Sequence, residues 1–459
     1  MRRRANPRSD VEGNSERTET GSNAWLAQPA SSSDCLHLTI LWVNGVPARS
    51  GETSVLSEPV VLGRGGESAP GDASKLEFVR QRPGVNEPAG ALDHPRLSRR
   101  QWLLAPHESV IRVENVGRRA LLHNGAAAPS ALAADGDTLA VDGVLVCLVE
   151  KRPRLLPKFA FEPFAQNAVD ADGMAGESPA AFRLRRDLAA LAATNEHCLV
   201  LGESGTGKEL AARAIHRHSG NAQAPFISRN AATIPESLVE VELFGNAANY
   251  PNVGAPARNG LVGQADGGTL FLDEVAELSE LQQANLLRVL DSGEYQRLGE
   301  DRTRRARFRL IGATNRPLTA LKHDFCARFP ERVSVPGLDV RRADVPLLLA
   351  RILERLGHDP AQVHTELVDA LCRHRYTHHH RELERLARLA RHTSAPDGPL
   401  RLTPEVRDDL ELPTAPGPSE AEIREALART RSAAAAAEHL GLPSRYALYR
   451  LMKKLGIQA

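Results

Sequence analysis

The chain has 459 residues, enough for roughly three domains of about 150 residues each. Its 58 Lys and Arg balance 57 Asp and Glu to a net charge of +1, which excludes a globally basic nucleic-acid coat or an acidic tail protein. Any nucleic-acid contact must sit in a local patch. No run approaches the ~18 apolar residues of a membrane span, and no apolar segment follows the basic start Met1-Arg2-Arg3-Arg4. Cys35, Cys147, Cys198, Cys326 and Cys372 are scattered without a CxxC pair. The expectation is a cytoplasmic protein without membrane contact, disulfide framework or zinc site.

In chain order, residues 1–34 are rich in Ser, Arg, Asn and Glu and are expected to be a disordered arm. Residues 35–151 carry short β-type runs (LHLTILWVNG, EPVVLG, SVIRVEN, TLAVDGVLVCLVE) broken by Gly, Asn and Asp, the pattern of an all-β sandwich or barrel. A Pro-containing linker is expected over 152–176. Over 177–340, strand-like runs (CLVLGES, TLFLDEV, FRLIGATN) alternate with helical patterns, which predicts a parallel α/β sheet. Residues 341–412 read as helical, with LERLARLARH the clearest stripe. PTAPGPS (413–419) is a second linker, and 420–459 is a small all-α module.

Gly202-Glu203-Ser204-Gly205-Thr206-Gly207-Lys208 follows the apolar strand CLVL and opens the helix ELAARAIHRH. That is P-loop spacing in its strand–loop–helix context: the glycines let backbone N–H groups close around phosphate oxygens, and the helix N-terminus adds partial positive charge. Lys208 is placed to reach the β- and γ-phosphates of ATP. Glu209 stands where the magnesium-binding hydroxyl usually is. Downstream, the strand TLFL ends in Asp273-Glu274, which predicts Asp273 as the Mg2+ residue and Glu274 as the base that polarises the attacking water. A third strand ends in Thr314-Asn315, where a polar group can bridge γ-phosphate and water.

These residues together resemble the AAA+ domain of sigma-54-dependent transcriptional activators. The resemblance is carried by GESGTGKE (202–209), PFISRNAA (225–232), VELFG (241–245), DGGTLFLDEV (266–275), GEYQRLGED (293–301) and IGATNRPL (311–318), and covers about residues 176–395. It implies an ATPase core over 177–340 with a helical lid over 341–412, and makes Glu209 the family's own variant. It makes Asn230 a switch restraining Glu274, Asn315 the sensor I residue and Arg381 the sensor II arginine. It also implies a homo-oligomeric ring, usually a hexamer, with ATP at subunit boundaries and sigma-54 RNA polymerase as the partner.

Three departures stand out. Asn249-Tyr250-Pro251-Asn252-Val253-Gly254 replaces the GAFTGA motif that contacts sigma-54, so either this loop docks differently or sigma-54 is not the partner. The two trans-acting arginine fingers become Lys322 and Arg328, of which Arg328 keeps the planar fork. The WPGN preceding the sensor arginine reads Tyr376-Thr377-His378-His379, and the run His378-His379-His380 is expected to be a solvated surface run rather than a metal site.

In the last segment, Ser432 and Ser444 are candidate helix caps and Gly441 the turn, while Leu448, Leu451, Met452 and Leu455 form one apolar stripe. The segment resembles a Fis-type helix-turn-helix. That implies Arg445 and Tyr446 as base-edge readers of DNA and Arg450, Lys453 and Lys454 as phosphate contacts.

The β module resembles a forkhead-associated (FHA) sandwich through VLGR (61–64), LSRRQ (97–101), Asn124-Gly125 and ADGDTLAVDG (134–143). By that resemblance Arg64, Ser98 and Arg99 face the phosphate of a phosphothreonine partner or kinase. Gln101 stands where the motif has His, and Arg119-Ala120 where the peptide-gripping Asn-Gly lies. The alternative is a sandwich used only for protein contacts. Two functions therefore remain: a DNA-binding regulator whose ATPase ring remodels sigma-54 polymerase under FHA gating, or a DNA-binding, ATP-sensing regulator or scaffold that does not remodel polymerase.

Overall fold

The computed structural model describes residues 34–64, 73–158, 173–395, 398–412, 420–430, 432–440, 448–449 and 452. The disordered-arm expectation and the 413–419 linker lie outside these residues. No helix among them is long and apolar enough to cross a membrane.

The β module is a sandwich of an eight-stranded and a five-stranded sheet. At the heart of the larger sheet, β1 (Cys35–Val43) pairs antiparallel with a strand late in the module, β3 (Leu145–Arg152), which in turn pairs with β2 (Thr138–Val141). Side chains alternate across a strand, so Leu38, Ile40, Leu139, Val141, Leu145, Cys147 and Val149 enter the core between the sheets. The opposite face of the same strands is equally buried. Leu41, Trp42, Ala140, Val146 and Leu148 join one apolar cluster with Leu349, Leu367, Leu371 and other residues of the lid. Asn124 and Gly125, both at positive φ, turn the hairpin between Leu121–His123 and Ala126–Ala128.

The central domain is a five-stranded sheet of β4 (Cys198–Leu201), β5 (Phe226–Asn230), β6 (Thr269–Asp273), β7 (Arg309–Thr314) and β8 (Glu331–Ser334), in the order β5-β6-β7-β4-β8 and parallel throughout. Its strand order reverses beside β4, and in such sheets ligands bind outside the carboxyl ends of the strands at that point. Two helices flank the first strand: α1 (Pro179–Ala193), capped by Ser178, and α2 (Lys208–Arg217), entered through Gly207 at φ 101°.

The lid contains α3 (Val345–Arg355), α4 (Thr365–Arg373) and α5 (His379–Thr393). Residues 175–178 run between sandwich and lid. Asp344, fully buried, accepts from the backbone N–H groups of Glu177 (2.7 Å) and Ser178 (2.8 Å) and from the Ser178 hydroxyl (2.7 Å). The Glu177 carboxylate pairs with Arg80 and Arg82 of the sandwich, and its carbonyl accepts from Arg152 (3.2 Å). Glu177 and Ser178, which directly follow the expected 152–176 linker, are thus clamped on both sides.

At the C-terminus, α6 (Glu420–Arg429) and α7 (Ala433–His439) share a small core of Ile423, Ala426, Ala436, Ala437, Leu448 and Met452. The Ser432 hydroxyl accepts from Ala435 N–H (3.2 Å) as the expected cap. Leu451 and Leu455 of the expected stripe lie outside the described residues, as do Ser444 and Gly441.

Candidate nucleotide site

The loop from Gly202 to Gly207 joins β4 to α2 at the carboxyl edge of the sheet. Gly205 and Gly207 take φ of 81° and 101°, conformations that favour glycine, and at Gly205 space excludes a side chain as well, since a Cβ would lie 2.2 Å from the His378 carbonyl oxygen. Lys208, buried, donates from Nζ to the carbonyls of Gly202 (3.0 Å) and Glu203 (3.2 Å) and lies 3.6 Å from Glu274 Oε1. Thr206 Oγ1 donates to the Glu203 carbonyl (2.9 Å). Glu209, in the first turn of α2, pairs with Arg213 on the surface.

Asp273 ends β6 opposite Asn230 at the end of β5. Burial raises the Asp273 carboxyl above the ordinary carboxylate range, Lys208 pulls it back, and Glu274 adds to the rise. Glu274 follows at φ 50°, an uncommon and strained conformation for a side-chain-bearing residue. That turn directs its carboxylate to Lys208 and to Asn315 N–H (3.4 Å). The contact expected between Asn230 and Glu274 is not made. The parallel register places Asn230 beside Asp273, 3.5 Å from its Oδ2, and its own Oδ1 accepts from Ala232 N–H instead. Asn315 meets Glu274 through its backbone, and its side chain is exposed.

The lid closes over the loop. Arg381 donates to the Ser204 hydroxyl (3.4 Å). The expectation of a solvated histidine run is corrected for two of its three members. His378 is exposed, but His379 is 1 % exposed and His380 half-buried. His379, at φ 45°, accepts at Nδ1 from Leu338 N–H (3.2 Å), which leaves Nε2 to donate to Glu203 Oε2 (3.2 Å). His380 donates from Nδ1 to the Gly205 carbonyl (3.0 Å) and accepts at Nε2 from Arg341 (3.1 Å). Burial and the Arg341 guanidinium lower its pKa to about 3, so it is neutral and its two roles are fixed. Adjacent side chains point apart, as expected for a surface run, but here the entrance to α5 is wedged between Gly337 and the P-loop, and both directions are filled.

The residues expected further out are placed as follows. Arg328 is held by Asp291 of its own chain (Nη2 to Oδ2, 3.1 Å), and Lys322 lies 3.4 Å from Glu280. In the loop replacing GAFTGA, Asn246 donates to the carbonyls of Ala247, Tyr250 and Pro256, and Gly254 N–H closes on Asn249 Oδ1 (2.8 Å). The Tyr250 ring lies on Gly299, whereas Val253 at the tip is 96 % exposed. In the sandwich, Arg64 N–H donates to the Ser98 carbonyl (3.0 Å), Gly63 packs against the backbone of Arg99, and the Ser98 hydroxyl accepts from Arg118 N–H (3.0 Å), so the three candidate phosphate residues are neighbours. Arg445, Tyr446, Arg450, Lys453 and Lys454 lie outside the described residues.

Residues 174–333 match the family model described as the sigma-54 interaction domain. The anaerobic nitric oxide reductase transcription regulator NorR of Aeromonas hydrophila is 41% identical over 233 residues, 48% of this chain and 46% of that protein. The nitric oxide reductase transcription regulator NorR1 of Cupriavidus necator is 38% identical over 339 residues, 64% of this chain and 66% of that one. The chain thus spans about half to two thirds of the length of these relatives. Among solved structures, NtrX from Brucella abortus in complex with ADP is 33% identical, with 61% of this chain and 69% of that chain covered at a TM-score of 0.47.

Proposed function

We propose that the chain is an ATP-driven transcription regulator of the sigma-54-dependent kind. It would bind ATP at residues 202–209, hydrolyse it in a homo-oligomeric ring, bind DNA through its C-terminal segment and take its signal through the sandwich, by phosphothreonine at Arg64, Ser98 and Arg99. One observation carries this reading: Lys208, Asp273 and Glu274 converge at the switch point of the parallel sheet, under a lid that reaches the P-loop through Arg381. The match of residues 174–333 to the sigma-54 interaction domain supports the partner.

The donor set fits magnesium. A carboxylate beside the phosphate loop is what this ion uses together with substrate oxygens and water, and the half-buried Asp273 supplies it. Bound Mg2+ neutralises phosphate charge. The chain's own groups do the rest: the P-loop amides and Lys208 hold the phosphates, Glu274 takes the proton of the attacking water, and Asn315 orients that water. Arg328 would leave Asp291 to reach a neighbouring subunit's site.

A second reading, a DNA-binding and ATP-sensing regulator that does not remodel polymerase, draws on the loop at 249–254, whose Tyr250 lies on Gly299. Open-complex formation with purified sigma-54 polymerase separates the two. Wild type is expected to open the promoter with ATP, Lys208→Ala to lose both ATP binding and opening, and Glu274→Gln to bind ATP without turnover. ATP hydrolysis with no opening in any nucleotide state selects the second reading. No hydrolysis at all in the presence of target DNA overturns both.

A further inference from the structure

Where the loops of the sandwich meet the lid, a cleft of about 420 Å³ opens. Asn44, Arg96, Arg119 and Asp142 line it from the sandwich, and His364 and Arg401 line it from the lid. Arg119 is fixed by donating from Nε to the Arg96 carbonyl (3.1 Å) and from Nη1 to the Asp142 carbonyl (3.2 Å). Among the described residues, no carboxylate pairs with Arg96, Arg119 or Arg401. His364 caps α4, its Nδ1 accepting from Glu366 N–H (3.4 Å). Its Nε2 therefore carries the proton, and it faces the same space as Arg119 Nη1, each 3.9 Å from where a Cβ on Gly143 would stand. Burial and Arg401 lower the His364 pKa, so the ring donates as a neutral group.

The lining thus holds three guanidinium groups and an imidazole N–H against one carboxylate, Asp142. An arrangement this rich in donors and positive charge selects a compact dianion. The volume is that of a small-molecule site, larger than a bare ion needs.

We propose that this cleft binds a phosphate monoester carried on a small organic body, either a phosphorylated side chain or a free sugar phosphate, and that the bound phosphate bridges Arg119 of the sandwich to Arg401 of the lid. None of Arg64, Ser98 and Arg99 lines the cleft, which adjoins their cradle through Arg119, the residue at the sandwich's peptide-gripping position.

The test is calorimetric titration of the full chain carrying Lys208→Ala, which disables phosphate binding at the P-loop. The two probes are a phosphothreonine peptide and ribose 5-phosphate. At least one is expected to bind, with affinity unchanged by Arg64→Ala and weakened about tenfold by Arg401→Ala and by Arg119→Ala, the loss of one charged hydrogen-bonding partner. Arg401 is exposed, so its replacement leaves the fold intact, and Arg401→Lys is expected to restore part of the affinity. The probe that binds identifies the source of the phosphate. Binding abolished by Arg64→Ala but indifferent to Arg401→Ala would assign it to the sandwich cradle and overturn the proposal. So would absence of binding by both probes.

Discussion

Gln101 is fully buried and ties together three loops at one end of the sandwich. Its amide donates to Asn115 Oδ1 and to the Arg119 carbonyl (2.9 Å each), and its Oε1 accepts from Ser98 N–H (3.3 Å). Gly117 packs against the same amide, where a Cβ would come within 2.4 Å. Replacing Gln101 by Leu strands these partners in a dry environment, so we expect a loss of about 2 kcal/mol in urea unfolding. An unchanged midpoint would show that water enters and satisfies them. His37 and His380 are held neutral by burial, with pKa values lowered to about 4 and about 3. The unfolded chain titrates these rings at their ordinary value of 6.5, so below that pH it binds protons that the folded chain refuses. Stability is therefore full above pH 6.5 and falls as pH drops toward 3 to 4, by up to about 1.4 kcal/mol per pH unit for each ring. His380→Leu is expected to flatten this acid limb when unfolding midpoints at pH 7 and pH 5 are compared.

At the scale of elements, the turn at 175–178 depends on Asp344, whose carboxylate collects three hydrogen bonds ahead of α1. Asp344→Ala leaves two buried N–H groups without acceptors and should cost about 3 kcal/mol. Asp344→Asn, which keeps an acceptor, should cost less, and thermal melts of the two variants measure the difference. Strand and helix identities here were legible because their signals are local: Gly-rich spacing after an apolar strand, carboxylates ending another, Asn-Gly at a hairpin. The His379 and His380 contacts were not legible. Three consecutive histidines read the same on a surface or under a lid, and only the tertiary placement of α5 against Gly205 decides. The register that puts Asn230 beside Asp273 rather than Glu274 is likewise set by strand pairing across 43 residues of sequence. By contrast, the burial of both faces of β1 and β3 did leave a trace. ILWV and LVCLV are unbroken apolar runs, the mark of a strand covered on both sides.

At the scale of the molecule, that double burial joins the sandwich to the lid. Neighbouring residues of β3 serve different cores: Leu145 points between the sheets and Val146 into the cluster shared with the lid. A buried, unpaired carboxylate costs several kcal/mol at either place, but the consequences differ. Val146→Asp should part sandwich from lid, seen as a larger radius in solution scattering with the β-sheet circular dichroism kept. Leu145→Asp should lose the β signal itself. If Val146→Asp leaves the radius unchanged, the shared cluster is not what holds the two together.

Trp42, Leu41 and Val146 therefore belong by chain to the N-terminal module and by packing to the lid. A crossover that grafted a foreign module onto residue 173 would strip the lid of that apolar cover and expose Leu367 and Leu371 of α4. Heritable exchange of the N-terminal module has to carry the matching lid surface with it, so the unit that evolution or an engineer can shuffle is sandwich plus lid, interrupted in sequence by the five-stranded parallel sheet.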